Sequence, residues 1–488
     1  MLCAIFVNET IKSACVIVVV YVILAFYAFL VLNSMGAVML DNRQPVKTIA
    51  WILVILLIPV IGLLFYYFFG QNIRREFIFN KKSLDLLMQK TVLKYIRPLP
   101  DNTPLRFRSV VELMRRICYA EPFSASNVRF YTDGNDFILN LLNDIGRARH
   151  HIHLEFFIIN DDPVGHLVAD ALIDAARRGV VVRFLYDDVG CWSVRRHFFA
   201  RLRCGGVQVQ PFQPVHFRRL SHRVNYRNHR KIVVVDGCVG YIGGMNIALR
   251  YLRGENGGNW LDLHSRFEGT AVYSLQQIFF SDWFYASREM ITGHEYYPPL
   301  KSLHVSGAFV QIVISAPLGQ WASIRMAYNN IIQNAQNYIL VQTPYFMPTE
   351  TILESLQTAA LRGVRVEIMV PYKPGGFWMT WANESYYGDV LKAGIQVLAY
   401  QPGMLHAKTL IVDDCFCSVG SANMDFRSLN DTFEDSAFFY DKEVTLQVKS
   451  LYEQARRDCE PITLEMWNGR NRRRRLLESF VRIFSPLF

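Results

Sequence analysis

The sequence predicts an α/β protein made of two similar halves, preceded by two membrane-spanning helices. Three observations carry this. Two long uncharged apolar stretches open the chain, and the remainder repeats one strand–helix–strand passage. Each copy of the repeat also sets a histidine and a lysine two residues apart at the head of an apolar strand.

The opening stretches come first. Ser13 to Leu40 is 28 residues without a charge, and Thr48 to Ile73 is another 26. Both exceed the roughly 20 apolar residues that cross a bilayer core. Pro59 and Gly62 interrupt the second stretch, which membrane helices tolerate better than soluble ones. Trp51, Tyr66 and Tyr67 lie near its ends, where aromatic belts sit. The first stretch is long for the apolar region of a signal peptide and lacks a small-x-small cleavage site. Neither stretch has the polar stripe of a buried core helix. The expectation is a two-helix transmembrane hairpin over residues 1–73. Arg74, Arg75, Lys81 and Lys82 crowd its exit, Arg43 and Lys47 lie in the connection, and Lys12 marks the start. That bias puts both ends and the bulk of the protein in the cytoplasm.

A chain of 488 residues has room for two or three domains. Its net charge of +10 suits an anionic partner, whether nucleic acid, a membrane surface or a phosphate-bearing substrate. Nine scattered cysteines with no C-x-x-C pair argue against a disulfide framework or a zinc knuckle. Reduced thiols in a cytoplasm-facing protein are the simpler reading.

After a connecting region (residues 74–125), the first half (126–295) runs "ARHHIHLEFFIINDD", "LVADALIDAARRGVVVRFLYDD", "LRCGGVQVQPF" and "NHRKIVVVDGCVGYIGGMN". The second (296–488) answers with "AQNYILVQTPYFMPT", "ILESLQTAALRGVRVEIMVPY", "LKAGIQVLAYQPG" and "LHAKTLIVDDCFCSVGSAN". In both, an amphipathic helix closes on A-A-x-R-G-V, so glycine (Gly179, Gly363) stands where the chain leaves the helix. Strands alternating with such helices indicate an α/β arrangement with largely parallel pairing. Halves of this kind often pack face to face, which brings equivalent strand ends to a pseudo-twofold axis.

The chemistry is written twice. His229-x-Lys231-x4-Asp236 matches His406-x-Lys408-x4-Asp413, and Gly244 and Asn246 match Ser421 and Asn423. Asp262 follows the first histidine by 33 residues and Glu434 the second by 28. One imidazole can attack a phosphodiester and hold the phosphoryl group covalently. A second is needed to protonate the leaving alkoxide and deprotonate the acceptor. Lysines and asparagine amides stabilise charge on the non-bridging oxygens, and a carboxylate on the far ring nitrogen fixes each imidazole's tautomer. Asp236 and Asp413 lie seven residues from their histidines. Strand alternation aims them away from the imidazoles, so they read as supports at the strand end. No metal or other cofactor is required, and no H-E-x-x-H or cysteine cluster suggests one. The run "HFRRLSHRVNYRNHRK", with Arg218, Arg219, Arg223, Arg227 and Arg230, reads as a solvated basic loop that also draws in an anionic headgroup. The histidines of "RHHIH", with His222 and His264, are left structural.

These motifs, with their trailing G-G-x-N and G-S-x-N, resemble the phospholipase D superfamily, and their order resembles its bacterial cardiolipin synthase family. The likeness extends through "AWILVILLIPVIGLLFYYFFG", "NWLDLH", "QTPYFMPT" and "GSANMDFRSLNDTFE". It implies two homologous phospholipase D-like α/β/α halves, mixed sheets flanked by helices, forming one pseudo-twofold catalytic unit. It also implies metal-free phosphatidyl transfer between two phosphatidylglycerols, releasing glycerol. His229 is then the nucleophile and His406 the general acid/base, an order the motifs alone leave open. Lys231, Lys408, Asn246, Ser421 and Asn423 hold the phosphate, and Asp262 and Glu434 back the imidazoles. Only one half offers a hydroxyl, since Gly244 stands opposite Ser421. The alternatives are hydrolysis by the same intermediate, or another donor or acceptor lipid. An anionic phospholipid and a membrane are the expected partners; nucleic acid is not. The tail "GRNRRRRLLESFVRIFSPLF" reads either as a helix lying on an anionic membrane or as a terminal helix packed on its domain.

Overall fold

The computed structural model describes residues 2–40, 45–58, 60–66, 105–215, 226–255, 258–299, 307–317 and 319–485. Arg43, Arg74, Arg75, Lys81, Lys82, Arg218, Arg219, His222 and Arg223 fall outside the described residues. The helices before residue 67 and the α/β body from residue 105 onward belong to two separate compact units.

In the first unit, one helix runs unbroken from Leu2 to Leu40. Its segment Ile17–Leu40 is long and apolar enough to cross a membrane, and most of its side chains stay uncovered: Tyr21 and Leu32 are each 68% exposed. The second apolar stretch is not a continuous helix. It forms Pro45–Leu57, breaks, and resumes as Ile61–Phe65, with Val60 between them at a left-handed φ of 63°. Gly62 lies so close to Val54 that a Cβ would stand 2.2 Å from its carbonyl oxygen. The expected hairpin therefore consists, among the described residues, of one spanning-length helix and one broken helix. Val31, Val38, Ile55 and Tyr66 pack together between them.

The body's first half supplies β1 (Pro122–Tyr131), β2 (His151–Phe156), β3 (Val181–Asp187), β4 (Gln208–Phe212), β5 (Lys231–Val235), β6 (Val239–Gly243), β7 (Asn259–Leu261) and β8 (His264–Glu268). The second supplies β9 (Ala308–Ser315), β10 (Tyr338–Gln342), β11 (Phe346–Met347), β12 (Arg365–Pro371), β13 (Gln396–Tyr400), β14 (Gly403–Leu405), β15 (Thr409–Val412), β16 (Phe416–Gly420), β17 (Met424–Asp425), β18 (Glu434–Phe439) and β19 (Cys459–Ile462). Fifteen strands form one sheet in the order β19-β13-β12-β10-β15-β16-β18-β9-β1-β8-β6-β5-β2-β3-β4. Read outward from the β9–β1 junction, both halves give the same succession, with β19 added at one edge.

The join lies in β1. Its first residues, Pro122 to Ala125, pair with β9, and from Ser126 onward it pairs with β8. The register shifts between Ser126 and Arg129, and Asn127 there has φ 49°. Such a bulge twists and bends a strand, and Phe130 beyond it meets Phe439 of the second half at 6.0 Å between ring centroids. The halves are thus continuous at one strand as well as in contact, which strand–helix alternation did not reveal.

The pairing also corrects the expected parallel sheet. Only β2-β3-β4 and β10-β12-β13 run parallel; the remaining neighbours in the sheet are antiparallel. The reason lies in the motif strands, each of which turns straight back as a hairpin. The repeated helices Pro163–Arg177 and Glu350–Leu361 cover the parallel strands. They end as read, at Gly179 (φ 91°) and Gly363 (φ 97°), where Val180 and Val364 donate back to the carbonyls of Ala175 and Ala359. Each half has its own apolar core, around Phe137, Phe184 and Tyr241 in the first and Tyr328, Ile368 and Phe438 in the second. Of the "RHHIH" histidines, His151 and His153 sit under the helix Ala271–Ser287, while His150 is exposed. Gln276 bridges His151 (3.0 Å) and His153 (2.7 Å), and burial pushes His151 down to about 4. The seven cysteines whose side chains are described are free thiols.

Candidate active site

Each motif strand is the first arm of a hairpin, β5–β6 or β15–β16. Asp236 (φ 53°) and Gly237 (φ 65°) form one tip, Asp413 (φ 50°) and Asp414 (φ 54°) the other. Two successive left-handed residues are what a tight hairpin turn with the sheet's own twist requires. Asp236 accepts backbone N–H bonds from Arg149, His150 and His151 at 2.8–3.0 Å. Asp413 does the same from Gln336, Asn337 and Tyr338 at 2.7–2.8 Å and pairs with Arg106. Both carboxylates thereby tie a hairpin tip to the neighbouring strand, at the end remote from the histidine.

At the near end, each half is laced to the other. β14 pairs in parallel with β7, and the His406 N–H donates to the Leu261 carbonyl at 2.6 Å. In the matching place Asn228 bridges Phe433, and the His229 N–H donates to the Phe433 carbonyl at 2.9 Å. The residue that follows each of those carbonyls is a carboxylate. His406 Nδ1 therefore lies 2.6 Å from Asp262 Oδ2, and His229 Nδ1 lies 3.1 Å from Glu434 Oε2. The pairs cross: each half's carboxylate meets the other half's imidazole. Counting from its own histidine, the sequence gives no sign of this.

The lysines flank the imidazoles. Lys231 Nζ donates to the His229 carbonyl at 2.5 Å and lies over the Phe157 ring. Lys408 Nζ donates to the His406 carbonyl and stands 2.9 Å from His406 Nδ1. The hydroxyl of Ser421, which is fully buried, donates to Glu434. Its counterpart Gly244 leaves space for the shorter Asp262, whose Oδ1 would lie 2.0 Å from any Cβ there. The Gly/Ser difference thus matches the Asp/Glu difference. Asn246 accepts from the Ile158 N–H (3.1 Å) and donates to the Tyr251 hydroxyl (2.7 Å). Asn423 donates to Asp425 (3.0 Å), and its buried Oδ1 has no partner among the described residues.

Burial dominates the electrostatics. It lowers His229 below its ordinary 6.5 against the pull of Glu434, and with Lys408's help pushes His406 down to about 3. Burial also pushes Lys231 down to about 7 and Lys408 to about 8. It works against Asp262 and Glu434, but Lys408 holds the first below the usual carboxylate range and His229 the second. Burial thus favours the neutral form of each imidazole in the free site, with Nδ1 engaged. Among the described residues, neither Nε2 has a hydrogen-bond partner.

Several supports escaped the sequence reading. Arg230, inside the first motif, is 2% exposed, pairs with Asp282, and donates to the Glu434 carbonyl at 3.3 Å. Glu155 accepts from Asn228; burial and the nearby Asp282 hold its carboxyl well above the usual range. Arg227 pairs with Asp187 at 3.4 Å, and Asp187 also accepts the Asn228 N–H at 2.9 Å. Arg227 and Arg230 are therefore buried, and the solvated-loop reading fails for them. No strand alternation signals this, since Arg227 and Arg230 are three residues apart and fall on opposite faces of an extended segment. Phe157 packs edge-on to His229 (5.0 Å), and Trp260 lies 5.4 Å from His406.

Residues 141–283 and 328–456 both match the domain described as "Cardiolipin synthase, PLD-like domain", so each motif and each crossing carboxylate falls inside a match. The chain belongs to the cardiolipin synthase family of the phospholipase D superfamily. Residues 15–71 match a second domain, "Phospholipase_D-nuclease N-terminal". Among members of the family, cardiolipin synthase 2 of Bacillus anthracis is 38% identical over 461 residues, 92% of this chain and 88% of that one. The major cardiolipin synthase of Bacillus subtilis (strain 168) is 37% identical over 474 residues, 94% and 98% of the two chains. A solved phosphatidylserine synthase from Haemophilus influenzae Rd KW20 shares the fold, with TM-score 0.60 and 16% identity over 78% of this chain and 98% of that one.

Proposed function

We propose that the protein is a membrane-bound cardiolipin synthase that moves a phosphatidyl group between two phosphatidylglycerols through a covalent phosphohistidine. The observation that carries this reading is the pair of imidazoles, each with Nδ1 on a carboxylate of the other half and Nε2 free. His229 Nε2 attacks phosphorus, and as the bond to the glycerol oxygen breaks that oxygen takes the Nε2 proton of His406, which enters this step as an imidazolium paired with Asp262 and leaves it neutral. The hydroxyl of a second phosphatidylglycerol then gives its proton to His406 and displaces the phosphorus–nitrogen bond, forming cardiolipin. The lysine beside the His406 ring favours proton release there, which supports His406 as the acid and His229 as the nucleophile. Lys231 and Lys408 hold the non-bridging oxygens. Asn246 and Asn423 join them by exchanging Tyr251 and Asp425. Ser421 takes a positioning role on Glu434 in place of the phosphate contact expected of it. Asp236 and Asp413 stay structural.

In this reading the catalytic halves span 126–295 and 296–488, and residues 1–73 cross the inner membrane twice with the body on the cytoplasmic side. The spanning-length helix and the family membership support it. Purified protein in mixed micelles with glycerol-labelled and acyl-labelled phosphatidylglycerol is expected to release one glycerol for each cardiolipin formed. Phosphatidic acid as the main product means that water is the acceptor, and sinks the synthase reading.

The pH dependence follows from the shifts above. A nucleophile whose pKa is lowered stays neutral down past 6.5, so the acid limb of kcat/KM for His229 lies below pH 6.5. Lysines lowered to about 7 and about 8 lose charge as pH rises through those values, giving an alkaline limb in the free enzyme. Lys408→Arg keeps its charge and is expected to move that limb upward. A limb unmoved in this variant assigns it to another group.

A further inference from the structure

We propose that the C-terminal helix Arg472–Arg482 is a membrane-docking element, holding the α/β body against an anionic bilayer by a surface separate from the N-terminal helices. The helix is anchored by one face. Arg474 pairs with Glu384 (2.6 Å) and Glu478 (3.1 Å), Arg482 pairs with Asp389 (2.8 Å) and lies over the Tyr386 ring, and Val481 is fully buried. Glu384, Tyr386 and Asp389 all lie on the helix Phe377–Lys392. Asn471 caps the start, accepting from the Arg474 N–H at 2.7 Å.

The opposite face has nothing on it. Leu476 (72% exposed), Phe480 (49%), Ile483 (70%) and Phe484 (39%) follow the three- and four-residue spacing of one helical stripe. Arg472 and Arg473, four and three residues before Leu476, continue that stripe, and Arg475 flanks it. Among the described residues these three arginines have no acidic partner, whereas Arg470, Arg474 and Arg482 of the anchored face all do. The surroundings extend the apolar surface. Tyr372 (56% exposed) and Met466 (64%) line one pocket with Glu384, which places them beside the docked tail. Phe377 and Trp378, both about half exposed, open the helix on which the tail is anchored.

Unpaired arginines beside bulky apolar side chains match a lipid surface with negative headgroups, and exposed tryptophan and tyrosine suit its interface. A protein partner for the stripe would have to bring its own carboxylates; a bilayer of anionic lipid supplies the charge everywhere. The helix packs on its domain with one face, as one reading of the tail expected, and presents the other outward, which is the face this proposal gives to the membrane.

The test uses the full chain in nanodiscs, with an environment-sensitive fluorescent amino acid replacing Phe480, Ile483 or, as the control, Arg177, which is exposed on the helix Pro163–Arg177. In phosphatidylglycerol-containing discs, spin-labelled lipids are expected to quench positions 480 and 483 several-fold more than position 177. R472Q/R473Q/R475Q should weaken docking by about five-fold per arginine, and purely zwitterionic discs should behave alike. Quenching at 480 and 483 no greater than at 177 overturns the proposal, and equal quenching in zwitterionic discs overturns its electrostatic part. Because nothing here reads turnover, a failure of the phosphatidyl-transfer scheme would leave this result standing, and the reverse.

Discussion

Replacing His229 by Ala abolishes both turnover and the release of any leaving group, whereas His406→Ala retains a single burst when the leaving group needs no proton. The distinction uses a phosphatidyl ester of a nitrophenol. An aryloxide departs without a general acid, so His229 Nε2 can form its adduct in the His406 variant and release about one equivalent of nitrophenol per site. The second step then stalls, because no imidazole remains to deprotonate the acceptor alcohol. With phosphatidylglycerol as donor both variants lose activity by on the order of 10⁴-fold or more, the scale seen when a nucleophile or its base is removed from a machinery that acts as a unit. A burst in His229→Ala and none in His406→Ala would reverse the two roles. Substantial steady turnover in either variant refutes the two-histidine scheme.

Most of what this prediction needs was legible in the chain. The duplicated H-x-K-x4-D motif survives as a pattern because its geometry is local: histidine and lysine share one face of a strand entry, and Asp236 and Asp413 sit at hairpin tips where the odd offset turns them away from the imidazoles. The helix stops at Gly179 and Gly363 were equally local. Three features escaped that reading. The antiparallel majority of the sheet does not follow from strand–helix alternation, which says nothing of the hairpin each motif strand opens, although Asp236-Gly237 between apolar runs is a hairpin signal. The break between Leu57 and Ile61 falls where Pro59 interrupts the apolar stretch, a signal read as one that membrane helices tolerate. The crossing of Glu434 to His229 and Asp262 to His406 depends on how the halves pair, through β14–β7 and the Asn228–Phe433 bridge, and no spacing within a half encodes it.

That crossing is the centre of the account, and its consequence is the second large effect. If the carboxylate of one half sets the tautomer of the other half's imidazole, each conservative carboxylate variant must copy the phenotype of the histidine it touches. Glu434→Gln and Asp262→Asn keep the shape of the site and remove the charge that fixes Nδ1–H; each is expected to lower turnover with phosphatidylglycerol by on the order of 10³–10⁴-fold, as for the orienting carboxylate of a serine-protease triad. Ser421→Ala, which removes the hydroxyl on Glu434, should follow Glu434→Gln with a smaller loss.

The most direct measurement is a burst titration of these two variants with the nitrophenyl ester. Glu434→Gln, behind His229, is expected to lose the burst, while Asp262→Asn, behind His406, keeps about one equivalent per site and then stalls. With the burst lost in His229→Ala and kept in His406→Ala, the opposite assignment, a burst lost in Asp262→Asn and kept in Glu434→Gln, would mean that each carboxylate serves the histidine of its own half and would contradict a site built crosswise.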